Sequence, residues 1–177
     1  MGWLDWVVSP AMAAAPVVKT PVKPQALPNF KDWTIRLKVN NPVTGWQDNG
    51  NLLGQLSDAQ VGYDNHDVPE MTPFAAPYLT LVFPHPDWLT NAADYCGDFH
   101  SPSKKVDSWT FEIRANPVGS KVYLSWEGDS ALLKRSSLID TATGKVIKPS
   151  DKRWAKNGYP ITLKKDVQRY IWKVLAK

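Results

Sequence analysis

The residues with the most evident chemical potential lie in an acidic loop between positions 58 and 70. Four carboxylates occur there: Asp58, Asp64, Asp67 and Glu70. Ca²⁺ prefers oxygen ligands of this kind, although their spacing differs from the alternating ligand positions of an EF-hand loop. Aspartate also shapes turns by accepting hydrogen bonds from nearby backbone N–H groups. We therefore expect a loop that is built by local hydrogen bonds, with a calcium site on the four carboxylates as the alternative.

The histidines and the cysteine do not form a recognisable zinc or catalytic motif. They are His66, His85, His100 and Cys96. A zinc site would need the histidines to converge with the cysteine or a carboxylate, since none has short-range ligand spacing to another. A serine triad from Asp98, His100 and Ser101 is disfavoured, because adjacent residues on an extended chain point in different directions and no Gly-x-Ser-x-Gly elbow exists. We predict a chain that is not an enzyme and needs no cofactor.

Tryptophan is the other residue type that suggests a function, since the chain has nine. Trp33, Trp109 and Trp126 fall in phase with strand patterns, so we predict that they pack in the core. Other aromatic side chains could stack on a sugar ring or on a partner. These candidates are Trp46, Trp88 and Tyr95. An aromatic lid over one end of the domain is the alternative use of Trp88, which follows the proline-rigid segment 84–86.

Residues 1 to about 30 differ from the rest of the chain. They contain an apolar stretch and then a linker spaced by prolines; the apolar residues are Trp3, Leu4, Trp6, Val7 and Val8. This stretch is far shorter than the roughly 20 apolar residues that a membrane-spanning helix needs. Trp3 and Trp6 could instead lie at a membrane interface. We predict that this N-terminal arm binds partners; the remnant of an export signal, suggested by the Ala11-Met12-Ala13 triplet, is the alternative.

Composition places the remaining residues, 31–177, in one folded domain. The chain has 177 residues, of which 43% are apolar, so a substantial core is possible. The net charge is +4, and basic residues thicken towards the C-terminus, where they alternate with apolar residues. That pattern is typical of a solvated strand face, so we predict no nucleic-acid partner. A single cysteine excludes an internal disulfide.

The body of the chain shows the two-residue period of β-strands. Residues 33–40 alternate throughout, and residues 107–116 and 121–126 alternate on either side of a Pro-Val-Gly turn, which predicts a β-hairpin. Its predicted inward residues are Trp109, Phe111, Ile113, Val122, Leu124 and Trp126, whereas Thr110, Glu112 and Arg114 face outward. Further strands are predicted at residues 78–83, 131–139, 145–148, 159–163 and 168–175. Seven or more short strands indicate an all-β protein, an antiparallel β-sandwich.

A series of motifs between residues 46 and 175 resembles a known module. The motifs are Asn51-Leu52-Leu53-Gly54, Ala59-Gln60-Val61-Gly62-Tyr63-Asp64 with Asp67-Val68-Pro69, Phe83-Pro84-His85-Pro86-Asp87-Trp88, and the Trp-x-Phe-x-Ile and Val-x-Leu-x-Trp strands at 109–113 and 122–126. They are similar to a module found near the C-terminal end of bacterial secreted and cell-surface multidomain proteins. The resemblance implies an immunoglobulin-like β-sandwich outside the cytoplasm, without catalytic residues.

The arm and the module together predict a non-catalytic accessory subunit. It would be an extracytoplasmic β-sandwich, in the periplasm or at the cell surface, that docks through residues 1–30 on a membrane-associated protein assembly. The alternative is a free secreted module that binds carbohydrate or protein.

Overall fold

The computed structural model describes residues 32–71, 73, 75–102 and 107–175, which fold almost entirely as β-structure. The strands are β1 (Trp33–Asn40), β2 (Gln47–Gln55), β3 (Val68–Pro69), β4 (Tyr78–His85), β5 (Ala93–His100), β6 (Asp107–Asn116), β7 (Lys121–Glu127), β8 (Ser136–Asp140), β9 (Val146–Ile147), β10 (Tyr159–Thr162) and β11 (Val167–Val174). The helical elements of the described residues are α1 (Ser130–Arg135) and 3₁₀ turns at Leu89–Asn91 and Lys152–Trp154. The prediction of an all-β fold is therefore confirmed.

The strands form one curled, mixed sheet. Ten of them follow the order β10-β7-β1-β2-β5-β4-β6-β11-β8-β9, and β3 adds to β5. Strands β2 and β5 run parallel, whereas the other paired strands are antiparallel. The sequence predicted antiparallel strands throughout, so the β2–β5 pair is a correction. No helix among the described residues is long and apolar enough to cross a membrane.

Strand β4 joins the two halves of the sheet. Its first part, from Tyr78 to Val82, pairs with β6, and its last part, from Phe83 to His85, pairs with β5. The strand continues through Pro84, where the sequence predicted its end. Both halves contribute to one core, whose largest fully buried side chains are Trp109, Trp172, Tyr95, Tyr170, Phe83 and Phe111.

The strands with regular alternation form as predicted. In β1, Ile35, Leu37 and Val39 are buried, whereas the residues between them are exposed or half-buried. In β11, Tyr170 and Trp172 are completely buried. Period-two patterns of apolar and polar residues thus identified the strands that have one face on the core.

The predicted hairpin between residues 107–116 and 121–126 is wrong, although both segments are strands. Strand β6 pairs with β4 and β11, and strand β7 pairs with β1 and β10. The connection between β6 and β7 therefore crosses from one half of the sheet to the other. Gly119 in this connection, at a φ of 90°, donates its N–H to Leu163 O.

Three further expectations need correction. Residues 131–139 are not one strand, because Asp129 accepts hydrogen bonds from Ala131 N and Leu132 N and so caps helix α1. Glu112, predicted to face solvent, is only 4% exposed, because arginine side chains cover it. Trp126, predicted to be buried, is half-buried and packs against the core.

Candidate functional site

A cleft of about 800 Å³ opens beside the ends of β4 and β5 and the start of β6. We call it the acidic cleft; its ionisable side chains are His85, Asp87, Asp98, His100 and Asp107. The other lining residues that matter below are Val61 and Trp88. Three carboxylates against two imidazoles give this cleft its acidic character.

Asp98 lies at the centre of the acidic cleft, between two imidazoles. Its side chain is only 1% exposed, with Oδ2 at 3.1 Å from His85 Nε2 and Oδ1 at 3.3 Å from His100 Nε2. The contact with His100 lacks the geometry of a good hydrogen bond. On the other side of its ring, His100 Nδ1 lies 2.9 Å from Asp107 Oδ1. These residues form a chain of alternating carboxylates and imidazoles that connects β4, β5 and β6.

The charges of these carboxylates and imidazoles stabilise one another. Burial alone would lower the pKa of His100, but its contacts with Asp107 and Asp98 outweigh that effect and raise the pKa to about 9. Burial would likewise raise the pKa values of Asp98 and Asp107, but their contacts with His85 and His100 hold both pKa values below the usual range. At neutral pH the Asp98 and Asp107 carboxylates and the His100 imidazole between them are therefore all charged.

Aromatic rings hold the histidines in place. His85 stacks on Trp88, with ring centroids 3.6 Å apart and planes inclined by 12°. Tyr95 meets the edge of Trp88 at 4.9 Å, and its hydroxyl donates to Asn91 O at 2.6 Å. His100 stacks on the core residue Trp109 at 4.6 Å. Stacking on one face of each ring, together with the carboxylate contacts, limits the freedom of the two imidazoles.

The wall of the cleft continues to the start of the described domain. Gln55 Nε2 donates to Asp107 Oδ2 at 2.9 Å, and Gln55 Oε1 accepts from Trp33 Nε1 at 3.0 Å. The preceding residue, Asp32, accepts the N–H of Ser57 at 2.8 Å. The first described residues, Asp32 and Trp33, therefore lie at the end of the domain that carries the acidic cleft.

The acidic loop of residues 58–70 is shaped by hydrogen bonds from backbone N–H groups of the loop and of strand β5. Asp64 accepts the N–H groups of Gln60 and His66, while Asp67 accepts those of Asp64 and Phe99. Asp67 is 3% exposed, and burial raises its pKa in spite of these bonds. The bonds within residues 60–67 are the local arrangement predicted from the sequence, whereas the bond from Phe99 of β5 is a distant contact that was not predicted.

The remaining two carboxylates of the candidate calcium set have other contacts. Asp58 lies 3.3 Å from His66 Nε2, and Glu70 accepts the N–H of Met71. Within the described ranges, no three His, Cys, Asp or Glu side chains converge in a way that could hold a metal ion.

The aromatic candidates have different environments. Tyr95 is 1% exposed and belongs to the core, so it cannot stack on a ligand. Trp88 lines the acidic cleft, but His85 covers one of its faces. Trp46 is half-buried against the core, away from the residues that line the cleft. The structure therefore does not bring the three candidates together as one platform.

The other sequence candidates do not join a catalytic arrangement. Asp98 and His100 are in contact, but no hydrogen bond between His100 and Ser101 occurs in the described part of the chain. Cys96 is a free, half-buried thiol whose pKa burial raises to about 11, so it is a poor nucleophile. The arm residues Trp3, Leu4, Trp6, Val7 and Val8 lie outside the described residues.

Sequence reasoning missed the series of side-chain contacts that links His85, Asp98, His100 and Asp107. One signal was available, because residues at positions i and i+2 of a strand lie on the same face, and Asp98 and His100 have that spacing. Using it required residues 93–100 to be recognised as a strand. His85 and Asp107 reach Asp98 and His100 only through pairing between distant strands.

Comparison of the chain with known protein families, with curated proteins and with solved structures gives no match. The proposals below therefore rest on the geometry of the described residues.

Proposed function

We propose that this chain is a non-catalytic interaction module that docks on a larger, extracytoplasmic, membrane-associated protein assembly. The docking surface is the end of the domain that carries the acidic cleft, together with the N-terminal arm that joins the domain there. The fold we propose is the immunoglobulin-like β-sandwich implied by the sequence resemblance. The contact between β7 and β11 across the curled sheet supports two facing layers.

The observation that carries this proposal is the exposure of large apolar side chains beside the cleft. Val61 is 92% exposed and Leu89 is 89% exposed, and Tyr63, which touches the edge of Trp88, is 40% exposed. Apolar side chains that cluster at the rim of a cleft are typical of a protein interface.

The backbone at Leu89 adds to this argument. Leu89 has a φ of 46°, in the left-handed region, where a leucine costs about 1–2 kcal/mol relative to ordinary helical backbone. The domain thus holds an apolar side chain in solvent through a strained turn that immediately follows Trp88. Strain of this kind is often found where a surface binds another molecule.

The charges of the cleft define the partner's chemistry. Asp87 is 77% exposed, and Asp107 lies in the wall that leads to Trp33 and the arm. A partner surface that pairs lysine or arginine side chains with apolar ones would complement this end of the domain.

The geometry gives less support to the alternative function, a free secreted module that binds carbohydrate. A sugar-binding platform needs an open aromatic face. His85 covers one face of Trp88, and Tyr95 is buried.

The proposal is tested by co-purification from native membranes in mild detergent. We compare the full chain with a deletion of residues 2–28 and with the double variant Val61→Asp/Leu89→Asp. The matched control is Val43→Asp, because Val43 is 89% exposed and lies in the β1–β2 turn, at the other end of β1 from Trp33.

The full chain and the control should each bring down the same partner proteins. The deletion and the double variant should remain folded and lose these partners. Retention of the partners by both altered chains would refute the docking proposal. Retention by the deletion alone would refute the role of the arm and leave the cleft end as the attachment.

A further inference from the structure

A second cleft, of about 450 Å³, lies where the two ends of the curled sheet approach each other. We call it the basic cleft; it is bordered by β10, by the β8–β9 turn at residues 140–143 and by the segment 164–170 that leads into β11. In the β6–β11 pair, Val167 lies opposite Arg114 and Val174 opposite Asp107. The basic cleft is therefore near the end of β6 that is remote from the acidic cleft.

The charged side chains that line this cleft are Lys164, Lys165, Arg169 and Asp140, which gives the lining an excess of positive charge. The ionisable groups on the surrounding elements are Lys145, Lys164, Lys165, Arg169, Asp140 and Asp166, with Glu112 behind Arg169. The carboxylates are already engaged: Asp140 accepts the N–H of Ala142, and Asp166 accepts that of Val167. Three of the cations, Lys145, Lys164 and Lys165, lack a carboxylate partner within ion-pair distance in the described part of the chain.

A buried hydroxyl without a partner belongs to the wall of the same cleft. Tyr170 is fully buried, and its ring stacks on Phe111 with centroids 5.5 Å apart. Within the part of the chain that the structure describes, its hydroxyl makes no hydrogen bond, and the neighbouring Gln168 does not complete one of ordinary geometry. Buried polar atoms are rarely left without a partner, so this donor in the cleft wall is available to an acceptor that enters the cleft.

The state of this hydroxyl is fixed by its surroundings. Burial and the nearby Asp140 carboxylate raise the pKa of Tyr170 far above its usual value, so the hydroxyl keeps its proton. It can therefore donate a hydrogen bond to a bound acceptor. Thr143 and Thr162 add hydroxyl groups to the same lining.

We propose that the basic cleft binds an oxyanion of the phosphate or sulfate type. Lys164 and Lys165 supply the positive charge, and the Tyr170 hydroxyl supplies a buried donor. Lysine serves as a point charge for phosphate, and hydroxyl donors fix the position of the oxygen atoms. The group could belong to a soluble phosphate or sulfate ester or to the headgroup of an anionic lipid.

Binding is measured by calorimetry and by thermal unfolding with inorganic phosphate and sulfate, against chloride at matched ionic strength. The variants are Lys164→Ala/Lys165→Ala and Tyr170→Phe. Lys134→Ala/Lys156→Ala is the matched control, because both of these lysines are exposed and neither lines the cleft. Tyr170→Phe should fold normally, because it removes only a hydroxyl that has no partner.

Phosphate and sulfate should stabilise the native chain and the control pair beyond the effect of chloride. Affinity should fall at least about tenfold in Lys164→Ala/Lys165→Ala and about fivefold in Tyr170→Phe. Equal responses in the native chain and in Lys164→Ala/Lys165→Ala would overturn the site. An equal loss in the control pair would also overturn it, since the effect would then be non-specific.

Vesicles that contain phosphatidylglycerol distinguish the two sources of the anion. Binding of these vesicles, together with competition by free phosphate, would identify a lipid headgroup. Binding of free phosphate without vesicle binding would identify a soluble ligand. Absence of both would overturn the proposal.

Discussion

Trp172 of β11 meets the edge of Trp126 of β7, with ring centroids 5.6 Å apart and planes inclined by 67°. The two strands are six places apart in the order of the sheet, so this contact exists only because the sheet curls until its halves face each other. The pair is also tied to the outer loops, since Trp126 Nε1 donates to Pro149 O at 3.0 Å. These two tryptophans thus connect the halves of the domain through its core.

Replacing Trp172 should therefore cost much more stability than replacing Trp126. Trp172 is completely buried, so Trp172→Ala should lower the free energy of unfolding by about 3–5 kcal/mol. Trp126 is half-buried, so Trp126→Ala should cost only about 1–3 kcal/mol. Urea unfolding of the two variants checks this order, with the exposed Val43→Ala as a control expected within about 0.5 kcal/mol of the native chain. An equal or reversed order would show that the halves are packed differently.

Asp67 should be the carboxylate on which the acidic loop depends. Its oxygens accept the N–H groups of Asp64 and Phe99, so Asp67→Ala would leave two backbone donors without partners. Each such donor costs about 1–3 kcal/mol, so the two together should lower the free energy of unfolding by about 2–6 kcal/mol. Asp58→Ala, at a carboxylate that is 74% exposed, should change stability by less than about 0.5 kcal/mol.

The same loop allows a test for calcium. If hydrogen bonds alone shape it, addition of a chelator or of Ca²⁺ should leave the melting temperature unchanged, since only a ligand that binds the native state shifts it. A fall in the melting temperature with chelator that Ca²⁺ reverses would show instead that the loop is a calcium site.

Strands whose two faces differ in polarity were predictable from the sequence. Strands that bury polar residues were not. Strands β1 and β11 alternate and were found. Strand β2 contains Asp48-Asn49-Gly50, which indicates a turn, yet it is a strand because Asp48 accepts hydrogen bonds from Leu81 N and the Thr80 hydroxyl. Those partners are about thirty residues away in the sequence, so no local pattern reveals them.

Strand pairing was predictable only in part, for a related reason. The Pro-Val-Gly segment after β6 suggested a hairpin, because a short turn between two alternating strands usually joins neighbours. Each edge of β6 is instead taken by a strand from elsewhere in the chain. The same distant pairing brings His85 to Asp98 and Asp107 to His100, so the site could not be assembled from sequence spacing.

Glu112 should be the centre of the ion network on the outer face of the sheet. It contacts Arg114 and Arg169, and Arg114 also forms a two-bond contact with Asp94. Since Glu112 is nearly buried, Glu112→Ala should cost about 2–4 kcal/mol by leaving partly buried arginine charge without a partner. Arg169→Ala should cost less than about 1 kcal/mol, because that side chain is 56% exposed. A double-mutant cycle measures the coupling, and independent effects of the two variants would contradict the network.

His100 should make the domain less stable as the pH rises from about 6.5 to 9. Its pKa is raised from 6.5 to about 9 in the folded chain, so folding favours the charged imidazole. The resulting stabilisation is fully present below about pH 6.5 and is lost as the pH passes about 9, with an upper limit of about 3 kcal/mol. Urea unfolding at intervals between pH 6 and pH 9 measures this slope. His100→Gln should flatten it, because glutamine carries no charge.

Cys96 provides the control for this measurement. Burial raises the pKa of its thiol from 9 to about 11, so it lowers stability only when the pH exceeds about 9. Cys96→Ala should therefore keep the native slope between pH 6 and pH 9, whereas His100→Gln should lose it. The same slope in all three chains would mean that the contacts of His100 with Asp98 and Asp107 contribute nothing to folding. Loss of the slope in His100→Gln alone would place the pH dependence in the carboxylate–imidazole chain of the acidic cleft.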